Sequence, residues 1–200
     1  MTGDPIAVAF QVAAALQACG IPYVVGGSLA SSFSGEPRST LDVDMLVAIT
    51  PAEIPRLLEA LGEQFHADEQ AFRRAIRDRS SVNVIHLPTA TKIDLFVMGG
   101  SAIDDQQMTR RRKVQVGRGP DRHLYISTPE DILLQKLRWY RLGHGVSDRQ
   151  WRDILGIIIV QGTALDVPYL RRGATLLGIA ELLDRAFQAA GSAPPPEDQR

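Results

Sequence analysis

Several classes of protein are excluded by what this sequence of 200 residues has little of. Its single cysteine, Cys19, excludes an internal disulfide and any zinc site built from several cysteines. The most apolar run, residues 154–160, is too short for a membrane span. The N-terminus carries Asp4 where a signal peptide would have positive charge. A soluble cytoplasmic protein is therefore the simplest expectation.

The formal net charge is only −1, which argues against a chain that is basic throughout. Basic residues nevertheless form local clusters, and any one cluster is typical of a solvated helix face or loop. Together they would suit a polyphosphate or an RNA backbone if the fold brought them beside acidic residues. The clusters are Arg110, Arg111, Arg112 and Lys113; Lys136, Arg138 and Arg141; Arg149 and Arg152; and Arg171 and Arg172.

The most informative stretch is residues 24–47, which begins with an apolar strand that ends in Gly26, Gly27 and Ser28. Glycines let the backbone approach a ligand closely, and residues 28–33 read as a short helix. The free N–H groups at the start of such a helix can receive a phosphate, to which Ser28 would add a hydroxyl. The alternative is a plain turn, which is the usual role of two adjacent glycines.

Acidic residues follow at Asp42 and Asp44, in alternation with apolar residues, and Asp94 stands alone in the apolar run 93–97. Residues two apart in a strand point to the same face, so Asp42 and Asp44 should project side by side. Carboxylates held this close repel one another unless a cation lies between them. Their hard oxygens suit Mg²⁺ or Mn²⁺, so the pattern indicates a two-metal site, with a solvated strand face as the alternative.

This order of motifs resembles the nucleotidyltransferase superfamily related to DNA polymerase beta. The resemblance implies that Gly27 and Ser28, beside Gly26, hold a phosphate, that Asp42 and Asp44 are the first two metal ligands and that Asp94 is the third. It also implies an α+β fold, in which helices flank a mixed or antiparallel sheet and a C-terminal helical region follows. We therefore expect a nucleotidyltransferase core at 1–127, a helical region at 128–190 and a disordered tail at 191–200.

A narrower resemblance is carried by Arg38-Ser39-Thr40-Leu41-Asp42-Val43-Asp44. It is similar to the R-x-T-x-D-x-D variant of abortive-infection toxin nucleotidyltransferases of the AbiEii and MenT type. This similarity implies that Arg38 and Thr40 lie beside metal-bound phosphates, although Arg38 could equally be a surface charge.

The same toxin family carries a functional lysine on one C-terminal helix and an aspartate on the next. Lys136 and Asp153 match those positions, which implies that both residues are catalytic. A helix-surface lysine and an ion pair between Asp153 and Arg149 are the structural alternatives.

The function expected from these resemblances is Mg²⁺- or Mn²⁺-dependent transfer of a nucleoside monophosphate from a nucleoside triphosphate, such as ATP, to an acceptor hydroxyl. Implied acceptors are tRNA, as for a toxin of a toxin–antitoxin system, a protein, or a small molecule of the aminoglycoside type. Two alternatives belong to another class: a catalytically weak subunit that acts through a partner such as an antitoxin, and a nucleotide-binding protein. The three acids argue against the weak subunit, because their repulsion is offset only by a bound cation.

Overall fold

The structure, a computed structural model, describes residues 4–35, 42–117 and 122–191. It divides into two compact units. The first unit consists of the described parts of Met1–Ala30 and Ser39–Ser127, and the second of those of Ser31–Arg38 and Thr128–Arg200. That residues 1–127 and 128–190 are separate domains stays a prediction, and the expected tail lies, apart from Gly191, outside the described residues.

The first unit is built on a mixed sheet. Within the described residues this sheet has seven strands, in the order β3-β4-β5-β2-β1-β7-β6. Strands β2 and β5 pair in parallel, as do β1 and β7, whereas the other neighbours pair antiparallel. Mixed α/β architecture is therefore confirmed. The strands are β1 (Tyr23–Val25), β2 (Val43–Val47), β3 (Phe65–His66), β4 (Ser81–His86), β5 (Thr91–Val97), β6 (Arg112–Gln115) and β7 (His123–Ile126).

Helices accompany this sheet in sequence at α1 (Pro5–Ala18), α2 (Gly27–Ser34), α3 (Ile54–Leu61), α4 (Glu69–Asp78) and α5 (Ala102–Arg110). The α1 helix starts as the sequence predicts, because Asp4 caps it by accepting a hydrogen bond from the backbone N–H of Ile6 at 3.0 Å. Both α1 and α4 contact β5. Strands β2 and β5 alternate between buried residues and half-buried or exposed ones, so one face of the sheet belongs to the core and the other is open to polar side chains.

The sequence predicts that Thr50 caps a helix that begins at Pro51, and the observed start of α3 differs from this prediction. The helix begins at Ile54, and Thr50 directs both its backbone N–H and its hydroxyl to a carboxylate oxygen of Glu53, at 2.7 and 2.8 Å. Residues 51–53 therefore form a turn, since local side-chain hydrogen bonds of this kind compete with helix formation.

Besides the end of α2 and a 3-10 turn at Gly162–Ala164, the second unit contains four α-helices within its described residues: α6 (Pro129–Leu142), α7 (Asp148–Gln161), α8 (Val167–Leu177) and α9 (Ala180–Ala189). Thr128 and Ser147 cap α6 and α7 through their hydroxyls, as the sequence predicts. The core of this unit includes Leu133, Leu137, Ile154, Leu170 and Leu183.

The apolar pattern of residues 175–190 in the sequence predicts one last helix, and this prediction is wrong. The α8 helix ends at Leu177, and Gly178 follows with φ 68° in the left-handed conformation. Its N–H bonds back to carbonyl oxygens of α8, which closes the helix in the manner typical of glycine. A new helix, α9, then begins at Ala180.

No helix in the described parts of the chain combines the length and the apolar composition that crossing a membrane requires.

Candidate functional site

The pairing of β2 with β5 brings two of the predicted acids together. These strands run parallel with Asp44 directly opposite Asp94, and both residues are half-buried on the polar face of the sheet. Neighbouring strands lie about 4.8 Å apart, so the two carboxylates belong to one small area. Asp42 immediately precedes β2 and is exposed. The structure therefore places Asp42 and Asp44 at the start of β2, and Asp94 opposite Asp44 in the middle of β5.

The glycine turn lies directly against this acid pair. The backbone N–H of Gly26 donates to the carbonyl oxygen of Asp44 at 2.9 Å. Gly27 has φ +57°, and a Cβ atom placed on it would lie 1.8 Å from the Oδ2 atom of Asp44. A glycine at position 27 is therefore required by the carboxylate of Asp44 itself, a reason that differs from the close phosphate approach expected from the sequence.

The α2 helix begins at Gly27, which agrees with the predicted short helix after the turn. Ser28 stands in its first turn and is half-buried. The first N–H groups of a helix have no carbonyl partner within the helix, and its N-terminal end carries partial positive charge. The backbone N–H groups at the start of α2 thus lie beside Asp44. The predicted phosphate position depends on these N–H groups.

Lys92 is a member of this cluster that the sequence analysis missed. Its Nζ atom lies 2.8 Å from Oδ2 of Asp94. The pKa of Lys92 is raised above its ordinary value, first by the hydrogen bond to Asp94 and, against a smaller opposing effect of desolvation, by the negative charges of Asp94, Asp42 and Asp44. One ammonium group therefore interacts with all three acids. The signal was present in the sequence, because Lys92 lies two residues before Asp94 in an alternating strand.

The fit of this cluster to a divalent metal depends on Asp94. Across the described ranges 4–35, 42–117 and 122–191, no three histidine, cysteine, aspartate or glutamate side chains are gathered closely enough to hold a metal ion. Asp94 is engaged by Lys92 instead. The donor chemistry nevertheless fits Mg²⁺ or Mn²⁺, since carboxylates in register on adjacent strands already attract a cationic group. A metal held by the three carboxylates would bind the same carboxylate that Lys92 contacts.

A buried polar pair behind the turn was also missed by the sequence analysis. The side-chain amide of Gln107 donates to the hydroxyl of Ser127 at 2.8 Å, and both residues are buried. The backbone N–H of Ser127 in turn donates to the carbonyl oxygen of Val25, at the end of β1. A Cβ atom on Gly26 would lie 4.0 Å from both polar atoms of the pair. Gln107 and Ser127 therefore support the point where β1 enters the glycine turn.

Lys136 and Asp153 form an ion pair within the second unit. The Nζ atom of Lys136, on α6, lies 2.7 Å from Oδ2 of Asp153, on α7, and each side chain is only 10% exposed. The alternative of an exposed helix-surface lysine is therefore wrong. Their catalytic role stays a prediction.

Arg38 and Thr40 lie outside the described residues. Several members of the basic clusters defined in the sequence have local contacts in the structure. The guanidinium of Arg111 lies 4.9 Å from the ring centroid of Tyr125, and Arg171 pairs with Asp184 at 3.5 Å. These contacts show that part of the basic clusters stabilises the fold.

Comparison with known proteins bears on the fold. No family model and no curated protein matches this sequence. The structure is similar to an antigenic nucleotidyltransferase-like protein from Paracoccidioides brasiliensis, with a TM-score of 0.55 and 19% identity over 94% of each chain. The chain has a nucleotidyltransferase fold. It is also similar to ANT(2'')-Ia in complex with adenylyl-2''-tobramycin, with a TM-score of 0.52 and 13% identity over 94% of this chain and 98% of that one.

The fold agrees with the resemblance to the nucleotidyltransferase superfamily that the glycine turn and the acids carry. At identities this low the likeness establishes the fold alone. The chemistry must therefore be argued from the residues of the site.

Proposed function

We propose that this protein is a cytoplasmic, divalent-metal-dependent nucleotidyltransferase, which moves a nucleoside monophosphate from a nucleoside triphosphate to an acceptor hydroxyl. The observation that carries the proposal is the meeting of Asp44, Asp94 and the Gly27 turn at the start of α2. Acidic metal ligands beside the N-terminal end of a helix are what a metal–triphosphate complex needs.

Each residue of the cluster has a role in this proposal. Asp42, Asp44 and Asp94 would hold Mg²⁺ or Mn²⁺, which supplies charge stabilisation for the triphosphate and lowers the pKa of the attacking hydroxyl. The turn at Gly26 and Gly27 would place the N–H groups of α2 on the phosphates.

Further phosphate contacts are proposed for three residues. Ser28 would add its hydroxyl, since it stands in the first turn of α2. Arg38 and Thr40 would contact the same phosphates, as the resemblance to the toxin enzymes implies.

The reaction is a substitution at the α-phosphorus. A bond forms between the acceptor oxygen and phosphorus, the bond to the bridging oxygen of pyrophosphate breaks, and the proton of the acceptor hydroxyl passes to solvent water. The residues of the chain contribute by orienting the triphosphate and by offsetting the negative charge that builds on the leaving group.

Among acceptors, tRNA is proposed first, because the R-x-T-x-D-x-D pattern that ends at Asp44 is similar to toxin enzymes of the AbiEii and MenT type. A toxin would be controlled by an antitoxin partner. A protein hydroxyl and an aminoglycoside are the other acceptors to be tested, the latter because a structural neighbour was solved with adenylyl-2''-tobramycin.

A second candidate is a nucleotide-binding subunit with weak catalysis. The observation in its favour is that Asp94 is held by Lys92 rather than gathered with the other acids. The two candidates differ in whether pyrophosphate is released.

The test combines nucleotide binding with turnover. Calorimetric titration of each nucleoside triphosphate, with Mg²⁺, with Mn²⁺ and with EDTA, measures metal-dependent binding. Release of pyrophosphate and transfer of α-phosphate label are then measured with total tRNA, an aminoglycoside panel and protein acceptors. Metal-dependent binding with label transfer supports the transferase, binding without pyrophosphate release supports the subunit, and absence of binding contradicts both.

A further inference from the structure

Lys92 and Asp94 are neighbours on one face of β5, since they are two residues apart in the strand. On the two flanking strands, Asp94 is opposite Asp44 of β2 and Asn83 of β4. Lys92 thus reaches Asp94 along the strand, whereas the second acid, Asp44, approaches from the side.

Two cations cannot share Asp94 without repelling each other. In the structure the carboxylate of Asp94 directs Oδ2 to the Lys92 ammonium at 2.8 Å. A divalent ion bound by the same carboxylate would bring two positive charges close to that ammonium, within a side of the sheet that is only partly hydrated. Binding of the metal and retention of the Lys92 contact are therefore opposed.

The exposure of the pair indicates that it can open. Asp94 is 15% exposed, whereas Lys92 is 46% exposed, so the lysine head can move into water while the carboxylate stays in place. A second lysine–aspartate pair among the described residues, Lys136 with Asp153, differs because both of its side chains are only 10% exposed. An exposed ion pair is weakly held and exchanges readily, whereas a buried one does not.

We propose that Lys92 is an exchangeable counter-ion, which holds Asp94 in the metal-free protein, releases it when the divalent metal binds, and so sets the metal concentration at which the site fills. This inference rests on the proposed function, since it takes Asp42, Asp44 and Asp94 as the metal ligands. Lys92 is thus a residue that determines metal affinity. It also stabilises the acids when metal is scarce.

The test is the affinity for Mn²⁺ without nucleotide, measured by electron paramagnetic resonance of the free ion and by calorimetry. Lys92→Met keeps the apolar stem and removes the charge. We expect this variant to bind Mn²⁺ about tenfold more tightly, because one nearby positive charge lowers the affinity of a carboxylate for a proton by about that factor or more, and a metal ion is repelled in the same way. Lys92→Arg keeps the charge and should remain within about threefold of the parent protein.

A matched control is Lys113→Met, which removes an exposed lysine from β6, at the other end of the sheet order from β4 and β5. Its Mn²⁺ affinity should equal that of the parent. Melting temperatures in EDTA provide a second readout: Lys92→Met should melt lower than the parent without metal and should gain more from saturating Mn²⁺, whereas Lys113→Met should gain the same as the parent.

The outcomes separate this inference from the proposed function. If the parent binds Mn²⁺ and Lys92→Met binds it equally or more weakly, Lys92 is no counter-ion, although the metal site stands. If the parent and the Lys92 variants all fail to bind Mn²⁺ at millimolar concentration while folded, the metal site and the inference are both overturned. Tighter binding in Lys92→Met alone supports the exchange.

Discussion

At the scale of single residues, the site is defined by the contact between Gly27 and Asp44. The carboxylate of Asp44 occupies the space that any side chain at position 27 would fill, and the positive φ of Gly27 adds a second demand for glycine. The acid and the turn therefore fix each other's positions, although seventeen positions of chain separate them.

Gly27→Ala is predicted to impair metal-dependent triphosphate binding at least about tenfold, because the new methyl group displaces the carboxylate that contributes a metal ligand. It should also destabilise the protein by more than the roughly 1 to 2 kcal/mol that a left-handed conformation alone costs. Calorimetric titration and thermal unfolding provide the two measurements.

Gly62→Ala is the matched control for backbone strain. Gly62 has φ +68°, and a Cβ atom there would meet no described atom within 4 Å. This variant should lose stability from the backbone alone and keep full triphosphate affinity. Equal affinities for the Gly27 and Gly62 variants would mean that Asp44 is not part of the binding site.

The acids themselves give a second residue-scale prediction. The double variant Asp42→Asn with Asp44→Asn should lose Mg²⁺-dependent triphosphate binding while its melting temperature stays the same or rises, because like charges that repelled one another have been removed. Asp78→Asn, at an exposed acid that pairs with Arg77, provides the control for a simple change of net charge. Undiminished affinity in the double variant would contradict the metal site.

At the scale of elements, helices α6 and α7 are joined by the ion pair of Lys136 with Asp153, and burial decides what its removal does. Lys136→Met leaves the carboxylate of Asp153 buried without its cation, so we expect a loss of about 3 to 5 kcal/mol in the free energy of unfolding. The double variant Lys136→Met with Asp153→Leu should regain most of that loss, because no unpaired charge is left. Chemical denaturation of all three proteins measures this.

Activity of the same variants separates a structural pair from a site pair. If Lys136 touches the triphosphate, the double variant should recover stability while transfer stays at least about tenfold down, equivalent to roughly 1.4 kcal/mol of barrier. Transfer that recovers to within about twofold of the parent, measured on fully folded protein, would remove both residues from the site.

The elements themselves were largely predictable from local pattern, and the errors have local causes too. The caps at Thr128 and Ser147 and the alternation in β5 needed only neighbouring residues. The prediction of a helix over residues 175–190 was wrong because the apolar pattern continues on both sides of Gly178. In the structure this glycine adopts the left-handed conformation that ends a helix.

At the scale of the whole molecule, binding of metal and triphosphate should appear as stabilisation that requires both. A ligand present at 100 times its dissociation constant adds about 2.7 kcal/mol to the free energy of unfolding. The melting temperature of the parent should therefore rise more with a nucleoside triphosphate and Mn²⁺ together than with either alone.

Amide hydrogen exchange locates the stabilised region. Protection should be concentrated in the first turn of α2, from Gly27, and at Asp44, whereas the β3–β4 edge should change little. The Asp42→Asn and Asp44→Asn double variant should show neither the shift in melting temperature nor the protection. Protection confined to other elements would place the ligand elsewhere.

The sequence by itself determined where the candidate site residues lie along the chain and which face of each strand they occupy. Glycine at a strand end, acids in alternation with apolar residues, and cap residues before helices act through the local backbone, and their effects repeat wherever the pattern occurs. Asp44 and Asp94 could thus be assigned to the polar side of the sheet before their strands were known to be neighbours.

Only the tertiary structure decided which side chains are partners. The parallel register of β2 and β5 set Asp44 opposite Asp94, and the packing of α6 with α7 turned Lys136 toward Asp153 rather than toward water. The alternation in β5 predicts that Lys92 and Asp94 share a face, but it does not show that they form an ion pair. Such pairings depend on strand order, burial and the sum of nearby charges, which residues distant in sequence supply only once the chain has folded.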